Sequence, residues 1–409
     1  MKRQILFVDD EPKVLDGLRR MLRPMRDEWD VAFATSGREA LDAIDKTPFD
    51  VVVSDMRMPE MDGAALLNQV KQRCPAAVRL ILSGYTDDEM IVRSVGPTHQ
   101  FLAKPCDAET LKATIARACA LHELLADEHL VAVVANIKSL PSVPLLYDQL
   151  HRMLGSPDAS VKDIAGIISS DVGMVAKILQ LVNSAFFGLR HHIESLPQAI
   201  TYLGLDTVRA VVLTTGVFSE FEHSDTAQKA AEALYPHSMR VGALSAEIAR
   251  TSCRDRNVLE EVLIAGLLHD VGKLVLAAEL PETWAQASQS AREREVPLHE
   301  AERDLLGVTH AELGAYLLGL WGLRDPIVEA VAFHHAPSKC LTRAFAPLTP
   351  VHVANVLVHE PDPDPRQDQV DGTDATYLQE VGVADRLPEW RELCRSALIE
   401  EKKHVGANE

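Results

Sequence analysis

The chain has 409 residues, 47% of them hydrophobic and 25% charged, a soluble globular composition too long for one ordinary core, so two or three domains are expected. Its formal net charge of −19 is uneven: residues 1–125 carry 17 Lys/Arg against 20 Asp/Glu, and the remainder carries 24 against 40. An acidic second half is a poor partner for a phosphate backbone, which disfavours direct nucleic-acid binding.

Residues 1–120 alternate short apolar runs with amphipathic stretches. "ILFVDD" (5–10), "VAFAT" (31–35), "DVVVSD" (50–55), "RLILSG" (79–84) and "QFLAKP" (100–105) read as buried strands. Helical patterns such as "VLDGLRRMLRPM" and "GREALDAI" lie between them. Five strands alternating with five helices predict an α/β, doubly wound, five-stranded parallel sheet with its binding site at the carboxyl ends of the strands. Polar residues fall at those ends: Asp9 and Asp10 close the first strand, Asp55 the third and Ser83 the fourth, and Lys104 follows the fifth. Three carboxylates meeting at one edge repel one another unless a hard cation lies among them, and Mg²⁺ suits an all-oxygen set. The Lys104 ammonium and the Ser83 hydroxyl are suited to bonds with phosphoryl oxygens.

This segment resembles, over its whole length, the receiver domain of two-component response regulators, the CheY-like fold. The resemblance implies that Asp55, in "SDMRMPEMDG", is the phosphoacceptor. It implies Mg²⁺ held by Asp9, Asp10, Asp55 and the backbone carbonyl of Arg57, with Ser83 and Phe101 as switch residues. A cis Lys104–Pro105 peptide, a sensor histidine kinase as phosphodonor and homodimerisation through the fourth and fifth helical faces belong to the same expectation.

From Asp107 to Asn136 there is no Pro or Gly, and apolar residues recur at helical spacing. Asp107 is suited to N-capping, with Glu109 in the first turn. Residues 107–136 read either as one connecting helix or as two with a break near residue 126. "SLPSVPLLYDQL" then opens a second domain.

Beyond residue 137 the strand signal ends. "VKDIAGIISSDVGMVAKILQLVNSAFFG" and residues 196–221, 238–252, 260–278 and 311–335 have helix-period apolar positions, so 137–358 is expected to be all-α. His237, His269, Asp270, His310, His334 and His335 lie in or beside these helices. Neighbours on a helix differ by about 100° in direction, so His269 with Asp270, and His334 with His335, can reach one cleft from its wall. Imidazole with carboxylate suits Fe, Mn or Zn. His99, His122, His191, His192, His223, His299 and His404 stand in polar or irregular surroundings and are expected at the surface.

"SLPSVP", "ISSDVGMVAKILQLVNSAFFG", "IESLPQAITYLGLDTVRAVVL", "AGLLHDVGKLVL", "GVTHAELGAYLLGLWGLRDPIVEAVAFHH" and "VHVANVL" together resemble the HD-related output domain, HDOD, of the HD superfamily of metal-dependent phosphohydrolases. Three departures stand out against the related cyclic-di-GMP phosphodiesterases. A later Asp is replaced by Asn355, a Glu one turn before the first His by Ala233, and the Gly-Tyr-Pro loop by "HHAPSKC". Lost anions weaken metal affinity and the activation of water. Lys273 is retained, and local pairing accounts for it equally well.

Two functions follow. One is a response regulator whose phosphorylation at Asp55 controls a non-catalytic HDOD that binds downstream signalling proteins. The other is a metal-dependent phosphohydrolase, acting on a nucleotide or cyclic dinucleotide at the His269/Asp270 site.

Residues 359–409 read as a Pro- and Asp-rich loop, "EPDPDPRQDQVDGTD", followed by an amphipathic helix, "LPEWRELCRSALIEEKK". Six cysteines (Cys74, Cys106, Cys119, Cys253, Cys340, Cys394) lack C-x-x-C spacing, which favours reduced structural thiols. No apolar run is long enough to span a membrane, and the short apolar stretch in "MKRQILFVDDEP" is unlike a signal peptide. A cytoplasmic protein is expected.

Overall fold

The structure, a computed structural model, describes residues 2–83, 98–104, 106–121, 128–135, 160–183, 196–203, 225–359 and 372–405, with single positions 137, 150 and 153. The amino-terminal part runs β1 (Arg3–Val8), α1 (Pro12–Leu22), β2 (Trp29–Ala34), α2 (Gly37–Ile44), β3 (Val51–Asp55), α3 (Gly63–Arg73), β4 (Val78–Ser83), β5 (Gln100–Ala103) and α4 (Ala108–Leu121). All sheet neighbours are parallel, in the order β2-β1-β3-β4-β5. The central β3, "VVVSD", is buried at every residue, as a strand covered on both faces must be. The helices are capped where their sequences allow it. Ser36 accepts from the Glu39 amide at the start of α2, and Asp62 from the Ala65 amide at the start of α3.

Helices follow: α5 (Glu128–Ala135), α6 (Val161–Ser169), α7 (Val172–Asn183), α8 (Leu196–Leu203), α9 (Asp225–Ser252), α10 (Arg256–Leu268), α11 (Val271–Glu279), α12 (Pro281–Arg294), α13 (Leu298–Leu306), α14 (His310–Leu320), α15 (Asp325–Phe333), α16 (Leu348–His359), α17 (Ala375–Val381) and α18 (Leu387–Val405). The helical break expected near residue 126, the cis Lys104–Pro105 peptide, the fourth receiver helix, residues 204–221 and most of the loop after residue 359 lie outside the described residues. No helix among the described residues is long and apolar enough to cross a membrane.

Two expected helices are divided. The run 260–278 becomes α10 and α11, separated at His269–Asp270, and 311–335 becomes α14 and α15, with His334 and His335 in the turn after α15. Periodicity does not register a turn when both flanking helices are buried on several sides, as α14 is at every residue but Glu312. The second break does carry a local signal: Gly322 takes φ +78 just past α14, and Pro326 stands at the start of α15. His269, His334 and His335 therefore reach the cleft from helix ends and not from helix walls, whereas His237 reaches it from within α9.

Two close crossings bring those ends together. A Cβ on Gly272 of α11 would lie 1.9 Å from the His310 carbonyl oxygen and 2.8 Å from the Gly314 nitrogen of α14. One on Gly266 of α10 would lie 2.7 Å from the Cα of Gly242 in α9. Only glycine permits such backbone approach, so the glycines of "GLLHDVGKL" dock both flanking helices against their neighbours.

Candidate functional sites

At the carboxyl edge of the sheet, Lys104 donates to Asp9 Oδ2 at 2.7 Å and also to Asp55 Oδ1. Asp9 further accepts the Glu11 amide, and Asp55 Oδ2 accepts the Arg57 amide at 2.8 Å. Both carboxylates are buried. Burial opposes the Lys104 ammonium, but hydrogen bonds and attraction from Asp55 and Asp9 outweigh it and raise its pKa. One ammonium between two nearly buried carboxylates leaves net negative charge and spare oxygen lone pairs, a donor set that fits Mg²⁺. Ser83 ends β4 in register with Ala103 of β5, and Phe101 lies in β5 opposite Ile81; their side chains lie outside the described residues.

The second site lies where α9, the α10–α11 turn, the start of α14 and the turn after α15 meet. Candidate ligand atoms fall into two groups, His237, His269 and Asp270 on one side and Asp270, His310, His334 and His335 on the other, each group within 4.8 Å. Asp270 belongs to both. Its Oδ2 lies 3.5 Å from His237 Nε2 and 3.4 Å from His269 Nε2; its Oδ1 lies 3.0 Å from His310 Nε2 and 3.6 Å from His334 Nε2. Lys273 Nζ donates to Asp270 Oδ2 at 2.5 Å, so the motif lysine does pair locally.

The outward-facing nitrogens fix which atoms point in. His269 Nδ1 lies 2.8 Å from the Gly266 carbonyl oxygen, and His334 Nδ1 lies 2.8 Å from that of Val331. A carbonyl only accepts, so each Nδ1 carries a proton and each Nε2 is the ring nitrogen left to face the cleft. His310 Nδ1 donates likewise to Glu302 Oε2 at 2.7 Å, and its amide donates to the same oxygen at 2.8 Å. Such outer partners hold metal-ligating histidines in orientation. Inside, His237 and His269 Nε2 are 3.1 Å apart, and His310 and His335 Nε2 are 3.0 Å apart. Buried Asp270 Oδ1 and His334 Nε2 have no hydrogen-bond partner of sound geometry. Inward lone pairs beside an orphaned carboxylate oxygen fit a cation of the Fe, Mn or Zn class.

Charge states agree. Burial, reinforced by neighbouring histidines, pushes His237 and His334 down to about 3 and His335 well below its usual value. Burial opposes the Asp270 carboxylate, but His269 and Lys273 hold its pKa well below the usual range. His310 differs: Glu302 and Asp270 overcome burial and raise it. In metal-free protein the depressed imidazoles are neutral when folded and protonate when unfolded, so stability falls as pH drops below their unfolded value of about 6.5. His310 contributes the opposite sign, stabilising below that value and losing the contribution as pH rises through its folded pKa. The depressed group is the larger, so a chelator-treated sample is expected to melt at a lower temperature at about pH 5.5 than at pH 7, each fully buried neutral imidazole costing about 1.4 kcal/mol per pH unit. A thermal melt that is unchanged or higher at the acidic pH contradicts this arrangement.

Several participants escape a linear reading. Glu302, from "LHEAERDLL", is wholly buried behind His310, where nothing local marks it as more than a helix-surface acid. His299 stacks on His335 with ring centroids 4.0 Å apart, and His359 stacks on His237 at 4.9 Å, so His299 is not an isolated surface residue. His99 is also buried, bonded to Arg79 and Ala135. Asn355 lies buried in α16, its Oδ1 without a partner, and Ala233 is exposed on α9. "HHAPSKC" continues from His334–His335 into a short 3-10 turn, Pro337–Lys339. A cavity of about 380 Å³ opens beside His299 and His335, lined also by Arg303, Thr309, Phe333 and Lys339.

Residues 5–116 match the response regulator receiver domain and residues 140–337 the HDOD domain. The chain is 29% identical over 226 residues to an uncharacterized protein of Treponema pallidum (strain Nichols), covering 53% of this chain and 43% of that one. It is 38% identical over 133 residues to the transcriptional regulatory protein ZraR of Escherichia coli (strain K12), covering 32% of this chain and 30% of that one. The match thus spans less than half the length of these relatives. Among solved structures, the signal receiver domain of an HD domain-containing protein from Pseudomonas fluorescens Pf-5 is 28% identical, with a TM-score of 0.29, covering 30% of this chain and 98% of that one.

Proposed function

Since this chain joins a response regulator receiver domain to an HDOD domain, a response regulator with an HD-related output, we propose that phosphorylation of Asp55 by a sensor histidine kinase controls what the output domain does to its signalling partners in the cytoplasm. The observation that carries this is the Lys104 bridge between Asp9 and Asp55 at the sheet's carboxyl edge. Asp55 supplies the nucleophilic carboxylate oxygen, the Arg57 amide orients it, and Lys104 is placed to neutralise charge on a transferred phosphoryl group. Asp9, Asp10, Asp55 and the Arg57 carbonyl would hold Mg²⁺, which supplies charge neutralisation when bound. Incubation of the whole chain with acetyl phosphate is expected to give a hydroxylamine-labile acyl phosphate that requires Mg²⁺. Absence of the adduct at millimolar donor and Mg²⁺ overturns the reading.

A second reading is favoured by the orphaned Asp270 Oδ1 and His334 Nε2: the output domain holds a transition metal and hydrolyses a phosphoester. His237, His269, Asp270, His310, His334 and His335 would hold the ion, which when bound acidifies water and polarises a phosphoryl oxygen. The departures at Asn355 and Ala233 leave these six residues together, so they do not by themselves dismantle the centre. Elemental analysis with turnover assays on nucleotides and cyclic dinucleotides separates the outcomes. Metal with turnover supports the hydrolase; metal-free protein without turnover leaves an output domain that acts by binding partners.

A further inference from the structure

The receiver and the histidine centre share two helices. Helices α14 and α15 form a hairpin: its turn faces the receiver, and its far ends carry His310 on one side and His334 and His335 on the other. At the turn, Gln100 Nε2 of β5 donates to the Gly319 carbonyl at 3.0 Å, and Arg117 of α4 donates to the Leu323 carbonyl and pairs with Asp325 at 2.8 Å. The side of Gln100 packs on Gly322, where a Cβ would lie 3.3 Å from it. Deeper in, His99 Nδ1 accepts the Arg79 amide at 3.1 Å, which leaves its Nε2–H to donate to the Ala135 carbonyl at 2.7 Å. Arg79, 1% exposed, donates to the same carbonyl, so β4 and β5 are fastened to the end of α5 as well.

We propose that this hairpin couples the receiver to the metal centre, so that phosphorylation changes metal affinity at the Asp270, His310, His334 and His335 group. The proposal rests on the metal-holding reading of the output domain. A helix of 11 residues, roughly 16 Å long, is a stiff strut, and the Gly272–Gly314 crossing leaves α14 no room to move without disturbing α11 beside Asp270. A shift at the Gly319–Asp325 end therefore changes the spacing of the ligands at the other. The docked face includes β5 and α4, so receiver pairing through that same face requires the output domain to leave it. Linkage is reciprocal: a phosphoryl mimic that alters metal affinity has its own affinity altered by metal to the same factor.

The test is a manganese titration of the whole chain, followed by calorimetry, with saturating Mg²⁺ on the receiver throughout and with or without beryllofluoride. Wild type is expected to show Mn²⁺ affinities differing at least about fivefold between the two states, the lower end of ordinary allosteric coupling. Gln100→Ala with Arg117→Ala should bind Mn²⁺ yet lose the difference. Arg117→Asp should also lose it, and adding Asp325→Arg should restore part of it, which a merely misfolded variant would not do. Equal affinities in wild type, or a difference that survives the Gln100/Arg117 variant, overturn the coupling while leaving the metal reading intact. A wild type that binds no Mn²⁺ in either state overturns both, and the direct titration shows which has failed.

Discussion

Replacing Asp270 with alanine is expected to reduce transition metal in the purified protein from stoichiometric to background, read by elemental analysis. Asp270 is the one residue common to both ligand groups, its two oxygens facing different imidazole pairs. Removing it also leaves Lys273 beside the five imidazoles of the two groups with no anion between them. Loss of an outer partner alone costs about 10–100-fold in metal affinity, so loss of the shared carboxylate should cost at least the upper figure. Asp270→Asn keeps the volume but removes the charge and should fall between. Full metal content in Asp270→Ala would exclude this cluster as the binding site.

Asp55→Asn is expected to abolish hydroxylamine-labile phosphorylation by acetyl phosphate, measured by intact mass before and after hydroxylamine treatment. Asparagine fills the same space and can still accept the Arg57 amide, so the fold should tolerate it. What disappears is the carboxylate nucleophile, together with one of the two anions that Lys104 bridges. An unchanged yield of adduct would place the phosphoacceptor elsewhere.

The two halves differed in how far their sequences could be read. In the receiver, each functional group sits at the end of an apolar run, so "FVDD", "VVSD" and "FLAK" mark both a strand and its chemistry. Topology then collects those ends on one edge without further information. The output domain has no such rule. His269–Asp270 and His334–His335 were visible as ligands, but helix periodicity concealed the turns that present them. Glu302, His299 and His359 join the site only through tertiary packing, because their distances along the chain from their partners carry no period. Asn355 and Ala233 mark two lost anions, while the candidate ligands around Asp270 lie together beside the glycine crossings.

The imidazole–carbonyl bonds of His269 and His334 have a consequence for every experiment on them. Each ring bonds the carbonyl three residues back, at the end of α10 and α15, where a helix otherwise leaves acceptors orphaned. These side chains thus act as C-terminal caps of their own helices, and the helix end, a local feature, selects the tautomer before any distant partner arrives. Alanine at either position removes a stop signal as well as a candidate ligand, at about 1 kcal/mol for the lost bond alone. Asparagine or glutamine, which can still donate to that carbonyl, is the substitution that tests the inward nitrogen by itself.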